Sequence, residues 1–282
     1  MTHKEGFFKG VRDIEIFRQQ WQPTGEAKAA LLLVHGLAEH GGRYLNIVDR
    51  FVPAGFAVHA FDHPGHGRSG GPRMSIDRFK DYTDTLDACV RQIRGERPDI
   101  PMFLVGHSLG GLICAAYLLE RQAGLAGAAF SAPGIKEPAS VSSAVKLVGK
   151  ALSVLAPGIG VSRLDFSGLS RDPSVAQAAL SDPLMFKGKI TARLGAEMLK
   201  TMQRVVAEAA RITLPILILQ GDADPIVDPT GARILHDAAG STDKSIKVYQ
   251  GLLHELFNEP EREQVFDDLE EWLNQRLEKT PS

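Results

Sequence analysis

From residue 28 onward, short apolar runs rich in β-forming residues alternate with longer amphipathic ones. The runs are Ala29 to Val34, Phe56 to Phe61, Pro101 to Val105, Leu125 to Ser131, Pro215 to Leu219 and Ser245 to Tyr249. Each is too short for a typical helix and is bounded by Gly, Pro or Asp, which predicts strands buried on both faces. Helical spacing of apolar positions predicts helices over Tyr44 to Ala54, Ile76 to Arg94, Leu112 to Gln122, Thr230 to Ala239 and Arg262 to Leu277. Strands and helices in alternation build a parallel sheet covered by helices on both faces. Ahead of it, Gly6 to Trp21 reads as a hairpin turning near Gly10, which adds antiparallel strands at one edge. The expected class is α/β, with a mostly parallel eight-stranded sheet.

The alternation breaks between Pro133 and Leu214, where no strand-like run occurs. An unstructured loop of that length is improbable. Val141, Val145, Val148, Leu152 and Leu155 repeat at helical spacing and predict a helix over Ser140 to Leu155. Glycines and prolines from Pro157 to Gly168 then mark a turn-rich stretch, and a further helix is expected from about Ala192 to Ala210. The chain therefore divides into a first core part (1–134), a helical cap inserted over the strand ends (135–210) and a second core part (211–282).

The 282 residues are 44% hydrophobic and 23% charged. That is globular composition and excludes disorder, collagen-like repeats and coiled coil. Lys and Arg number 32 against 34 Asp and Glu, a formal charge of -2. With no positive excess to neutralise phosphates, a nucleic-acid partner is not expected. Cys89 and Cys114 are too few for a disulfide framework or a thiolate metal site. Met1 to Gly6 has no apolar segment behind its charge, so no signal peptide is expected, and no apolar run approaches a membrane span. The expectation is a soluble, cytoplasmic protein.

The pentapeptide Gly106-His107-Ser108-Leu109-Gly110 follows a predicted strand and opens a predicted helix, the setting of a nucleophile elbow. So sharp a turn brings the positions two residues either side of Ser108 together and calls for glycine at both. It also puts the hydroxyl over a helix N-terminus, where negative charge is favoured. The bland alternative is a chance match in a chain with 28 glycines. A nucleophilic serine needs a base, and among nine histidines His254 is best placed, between the last predicted strand and the last helix. His236 falls on a helical face, His107 is part of the elbow, and His59, His63 and His66 surround an early strand end. An acid must hold the imidazole in one tautomer, and Gly221-Asp222-Ala223-Asp224 follows a predicted strand. Spacing alone leaves Asp222, Asp224 and Asp228 open. An oxyanion hole takes two backbone amides, one from Leu109 and one from Leu37 in the His35-Gly36-Leu37 turn after the first parallel strand.

Metal and cofactor chemistry find no support. Asn258 stands where the second ligand of a His-Glu-x-x-His pair would follow His254 and Glu255. His63 and His66 lack a third ligand, and no glycine-rich phosphate loop is present. Neither a metal nor a cofactor is implied.

The run Leu33-Val34-His35-Gly36-Leu37-Ala38-Glu39-His40-Gly41-Gly42-Arg43-Tyr44 resembles the oxyanion loop of the monoacylglycerol lipase and lysophospholipase branch of serine α/β-hydrolases. Asp62 to Gly70, the elbow, Leu169-Ser170-Arg171-Asp172, Ser181-Asp182-Pro183-Leu184, Leu219 to Asp224 and His254-Glu255-Leu256 are similar to that branch as well. The resemblance implies the α/β-hydrolase fold, with Ser108 as nucleophile, His254 as base, Asp224 as acid and Leu37 and Leu109 as oxyanion donors. It also implies that Glu39 and Arg43 shape the glycerol end of the pocket, against the alternative of a loop-stabilising ion pair. Some relatives carry a second, glycerol-recognising histidine three residues after the base. Phe257 stands there in this chain and implies a more apolar head-group pocket.

The activity implied is hydrolysis of carboxylic esters of lipids through an acyl-enzyme on Ser108, with monoacylglycerol giving glycerol and fatty acid. The alternatives are a lysophospholipase or broad carboxylesterase and, more remotely, a non-catalytic binding protein on the same fold. Val145, Val148 and Leu152 are expected to serve acyl-chain binding on the cap. The same apolar face is expected to make transient contact with a membrane or micelle, with Lys146 and Lys150 among head groups, so peripheral membrane association joins the cytoplasmic expectation.

Overall fold

The computed structural model describes residues 1–137 and 151–278. The chain opens with β1 (Thr2–Lys9) and β2 (Glu15–Gln22), paired antiparallel, and continues through β3 (Ala29–Val34), α1 (Leu45–Phe51), β4 (Phe56–Phe61) and α2 (Lys80–Glu96). Next come β5 (Met102–His107), α3 (Leu109–Leu118) and β6 (Gly127–Ser131). The insertion carries β7 (Gly160–Ser162), α4 (Pro173–Ser181), β8 (Ile190–Thr191) and α5 (Ala192–Glu208). The chain then completes the core with β9 (Ile216–Gly221), α6 (Thr230–Ala238), β10 (Lys244–Tyr249) and α7 (Arg262–Glu278).

The main sheet has eight strands in the order β1-β2-β4-β3-β5-β6-β9-β10. From β4 to β10 every neighbouring pair is parallel, and β2 joins β4 antiparallel. Side chains alternate across a strand, so a strand covered on both sides reads as an unbroken apolar run. Leu32, Leu104 and Ile218 enter one core beneath α2, α3, α5 and α6. Their neighbours Leu31, Phe103 and Leu217 enter the other, beneath α1 and α7.

Three expectations need correction. The strand before the elbow runs to His107 rather than Val105, because Gly106 hides its last turn from an apolar pattern. Helix α2 begins at Lys80, not Ile76: Ile76 is buried in the preceding loop, and the Phe79 amide is taken by Glu197 Oε2 at 3.0 Å. The insertion is not purely helical, since β7 and β8 pair as a short antiparallel ribbon. Strands of two and three residues are too short to leave a periodic signature.

Caps delimit the described insertion helices as elementary capping requires. The Asp172 side chain accepts the Ser174 amide ahead of Pro173 in α4, and Thr191 accepts the Leu194 amide at the start of α5. Residues 151–155 are helical. The rest of the helix expected over Ser140 to Leu155, with Val145 and Val148, lies outside the described residues. Among the described residues no helix is long and apolar enough to cross a membrane.

Candidate active site

The loops that follow β3, β5, β9 and β10 meet at the C-terminal edge of the sheet, where parallel α/β sheets hold their sites. Ser108 sits between β5 and α3 with φ 53° and ψ -116°, a strained conformation for a residue with a side chain. Gly106 and Gly110 permit the turn for different reasons. A Cβ on Gly106 would lie 2.7 Å from the Gly110 carbonyl oxygen, within the elbow itself. A Cβ on Gly110 would overlap the Val34 carbonyl of β3, so that glycine serves the approach of a neighbouring strand. The expected collision of the two positions therefore accounts for only one of them.

His254 is buried, and its Nδ1 lies 2.7 Å from Asp224 Oδ2. The other Asp224 oxygen accepts the amides of Ile226 at 2.8 Å and Val227 at 3.1 Å, and Gln220 Nε2 reaches Oδ2 at 3.2 Å. Burial pushes the Asp224 carboxyl up, but the hydrogen bond and charge of His254, with the two amides, outweigh it and leave its pKa below the usual value. Of the three aspartates that spacing leaves open, Asp224 is the one in contact with His254. Asp222 accepts the Gly251 amide in an exposed turn at 2.6 Å, and Asp228 pairs with Lys136 at 2.7 Å.

Leu109 is the first residue of α3, where an amide has no acceptor within its own helix. The Leu37 amide is aimed through its peptide. His35 Nε2 accepts the His63 amide at 2.9 Å, so Nδ1 carries the proton and donates to the Gly36 carbonyl at 2.7 Å. In a trans peptide the N–H points opposite to the C=O, so fixing the Gly36 carbonyl turns the Leu37 N–H the other way. A Cβ on Gly36 would lie 2.6 Å from Glu39 Oε1 and 3.3 Å from the Ser108 Cβ, so only glycine lets this loop come so near the serine. Two contacts tie the loop to the insertion: Phe186 donates its amide to the Ala38 carbonyl at 2.8 Å, and His40 Nε2 meets Asp182 Oδ2 at 2.8 Å.

Gly36, Leu37, Glu39, Ser108, Leu109 and His254 line one cavity of about 1350 Å³. Its outer walls come from the insertion and include Leu152, Phe166, Met185, Met198 and Met202. Glu39 accepts the Tyr44 hydroxyl at 2.7 Å and the Arg43 Nε at 3.2 Å, while Arg43 Nη2 forks onto both oxygens of Glu255 at 2.7 and 2.8 Å. Burial raises the Glu255 carboxyl above the usual range despite Arg43, and the nearby Glu39 adds to the rise. Arg43 thus lies behind the wall, shared between two carboxylates, while Glu39 and Glu255 face the cavity. Glu255 was given no role by the sequence reading, although it follows His254 directly and figured there in an incomplete zinc motif and in the segment that resembles the family.

Phe257 does not shape this cavity. It is buried under α7 and stacks on Phe266, with ring centroids 5.9 Å apart, because the short turn after His254 points it into the core. The more apolar head-group pocket inferred from it loses its support. Leu152 lines the cavity. Val145 and Val148 lie outside the described residues. His236 is bonded to Asp237 on α6, and His59, His63 and His66 are buried in the core. His107 is buried with its ring 4.7 Å from that of His254, and burial, helped by His254, lowers its pKa to about 4.

A strained serine on a strand–helix elbow, a histidine–aspartate pair and a glycine turn at the edge of a mostly parallel sheet define an α/β-hydrolase. The family described as serine aminopeptidase S33 (Hydrolase_4) matches residues 25–261, and the chain belongs to it. It is 37% identical to a monoacylglycerol lipase of Mycolicibacterium smegmatis, over 98% of this chain and 99% of that one. It is 34% identical to a phospholipase of Bacillus subtilis, over 84% of this chain and 92% of the relative. Among solved structures, the monoacylglycerol lipase of Paleococcus ferrophilus superposes with a TM-score of 0.84 at 34% identity, covering 93% of this chain and 99% of that one.

Proposed function

We propose that this protein hydrolyses monoacylglycerols to glycerol and fatty acid, with Ser108, His254 and Asp224 as its triad. The chain is a carboxylic ester hydrolase acting on lipid esters. With His254 Nδ1 committed to Asp224, Nε2 is the nitrogen left to take the Ser108 proton as the hydroxyl attacks the ester carbonyl. The amides of Leu37 and Leu109 receive the oxyanion. The same imidazole then protonates the glycerol leaving oxygen, and water repeats the sequence on the acyl-enzyme. Residues 135–210 act as a cap whose apolar wall receives the acyl chain, which needs a channel but no polar recognition.

The observation that carries the head-group reading is the Glu39–Arg43–Glu255 network. At the Ser108 end the cavity presents two carboxylates, and Arg43, the cation nearest to them that a phosphate would need, is already shared between them. Carboxylate oxygens accept hydroxyl protons from a neutral polyol and repel a phosphate. This favours monoacylglycerol over lysophospholipid, although one relative is a phospholipase. Rates on monoacylglycerols and lysophospholipids of matched acyl chain test it: a higher kcat/KM on lysophospholipid overturns the head-group reading.

The cap also offers a surface for lipid aggregates. Val154 and Leu155 are 74% and 83% exposed, and Ile159 and Val161 nearby are exposed as well. Apolar side chains left in water beside a lipid-sized cavity favour transient contact with a membrane or micelle. Leu155→Ser is expected to weaken vesicle binding about tenfold, from the transfer energy of one leucine side chain. Hydrolysis of long-chain esters in vesicles falls with it, while a short soluble ester is cleaved at the wild-type rate. Equal loss on both substrates would place Leu155 in packing instead.

A further inference from the structure

The segment Leu169-Ser170-Arg171 of the insertion has no place in the chemistry above, yet it meets the loop that carries His254. Glu259 is wholly buried and does not line the cavity. Its Oε1 accepts the Leu253 amide at 2.6 Å. Its Oε2 accepts the Arg171 amide at 3.1 Å and Arg171 Nε at 3.3 Å. The Ser170 hydroxyl is shared between this oxygen, at 3.2 Å, and the Asn258 carbonyl, at 3.1 Å. On the far side of His254, the Glu255 amide donates to the Leu169 carbonyl at 2.7 Å. The amides one residue before and one residue after His254 are therefore both held, one by Glu259 and one by the insertion. Outside the pocket Arg171 also pairs with Glu261, so its guanidinium bridges the insertion to the start of α7.

We propose that Glu259 is a positioning residue for His254, and that the insertion sets the imidazole in place through it, by Ser170 and Arg171, and beside it, by the Leu169 carbonyl on the Glu255 amide. The inference rests on the reading of His254 as the base. A buried carboxylate that accepts from a backbone amide and a guanidinium holds its partners more firmly than a neutral acceptor does. Releasing the Leu253 amide frees the His254 backbone to rotate. The ring then moves relative to both Asp224 and Ser108, and displacement of a reacting group by about 1 Å costs on the order of a hundredfold in rate. Substrate binding is untouched, because Glu259 faces away from the cavity.

The test is Glu259→Gln, which keeps the shape and removes the charge. With a short soluble p-nitrophenyl ester, kcat is expected to fall by roughly ten- to a hundredfold, with KM within about twofold of wild type. Labelling of Ser108 by a fluorophosphonate should slow in parallel, and the low-field proton NMR signal of the His254–Asp224 hydrogen bond should shift or broaden. Arg171→Ala, on a half-exposed side chain, removes the charged Nε donor to Oε2 while leaving the backbone amide in place, does not touch the loop, and carries the test should Glu259→Gln fail to fold. It is expected to lose less activity in the same pattern, with Arg171→Lys recovering part of it. Wild-type kcat, labelling and NMR signal in a folded variant would overturn the proposal. So would a loss of kcat that vanishes at a temperature where the variant is fully folded. Activity surviving in His254→Ala is a separate result, and it would remove the base assignment itself.

Discussion

Ser108→Ala and His254→Ala are each expected to lower kcat by roughly four to six orders of magnitude, leaving the residue of catalysis that binding and the oxyanion amides supply alone. Asp224→Asn should cost somewhat less, since the amide still occupies the site but no longer accepts from Nδ1–H with a full charge. Asp222→Asn should cost far less, because Asp222 only accepts the Gly251 amide in an exposed turn. The comparison is made on a short soluble ester, with folding checked by circular dichroism and the serine by fluorophosphonate labelling. Greater damage from Asp222→Asn than from Asp224→Asn, in folded proteins, would mean that the wrong carboxylate has been assigned.

The second large effect is on stability in acid. Burial holds His63 at a pKa of about 3 and His59, His66 and His107 at about 4, and it lowers His35 well below its ordinary value. Histidines in an unfolded chain titrate near 6.5. Above that pH neither state binds the proton, and the stability is fully present. As pH falls from about 6.5 towards 4, the unfolded chain takes up protons that the folded chain refuses, so stability is lost. Each such histidine contributes a slope of about 1.4 kcal/mol per pH unit. Asp224, whose pKa is lowered, adds to the loss at still lower pH, whereas Asp62 and Glu255, raised by burial, oppose it. Urea unfolding is therefore expected to show several kcal/mol less stability at pH 5 than at pH 7, out of a typical total of about 5–15 kcal/mol. His59→Gln and His66→Asn should each flatten that dependence. Equal midpoints at the two pH values would show that these rings titrate normally in the folded protein.

These predictions draw on features of unequal visibility in the sequence. The parallel strands were legible because burial on both faces writes an unbroken apolar run, as in Ala29–Val34 and Phe56–Phe61. The elbow was legible because its steric demands fall within five consecutive residues. Boundaries were less so. The start of α2 is set by Glu197, more than a hundred positions away, capturing the Phe79 amide, and a local pattern carries no trace of that. The β7–β8 ribbon was invisible because strands of three and two residues are too short to repeat the two-residue alternation that would announce them.

By itself, the order of residue types along this chain determined an α/β sheet, a serine on a strand–helix turn and a histidine and an aspartate after later strands. Each follows from local sterics or from alternation over a few residues. Which aspartate meets His254 was decided only when β9 and β10 lay side by side and brought Asp224 within 2.7 Å across a separation of 30 residues. Arg43 reaches Glu255 across 212 residues, and that contact turned a nominal pocket arginine into the bridge between two carboxylates. Phe257 was sent into the core by the turn after His254, where stacking on Phe266 outweighed its place in a motif. Charge pairing and ring packing are short-ranged in space but indifferent to distance along the chain, so only the folded structure could decide them.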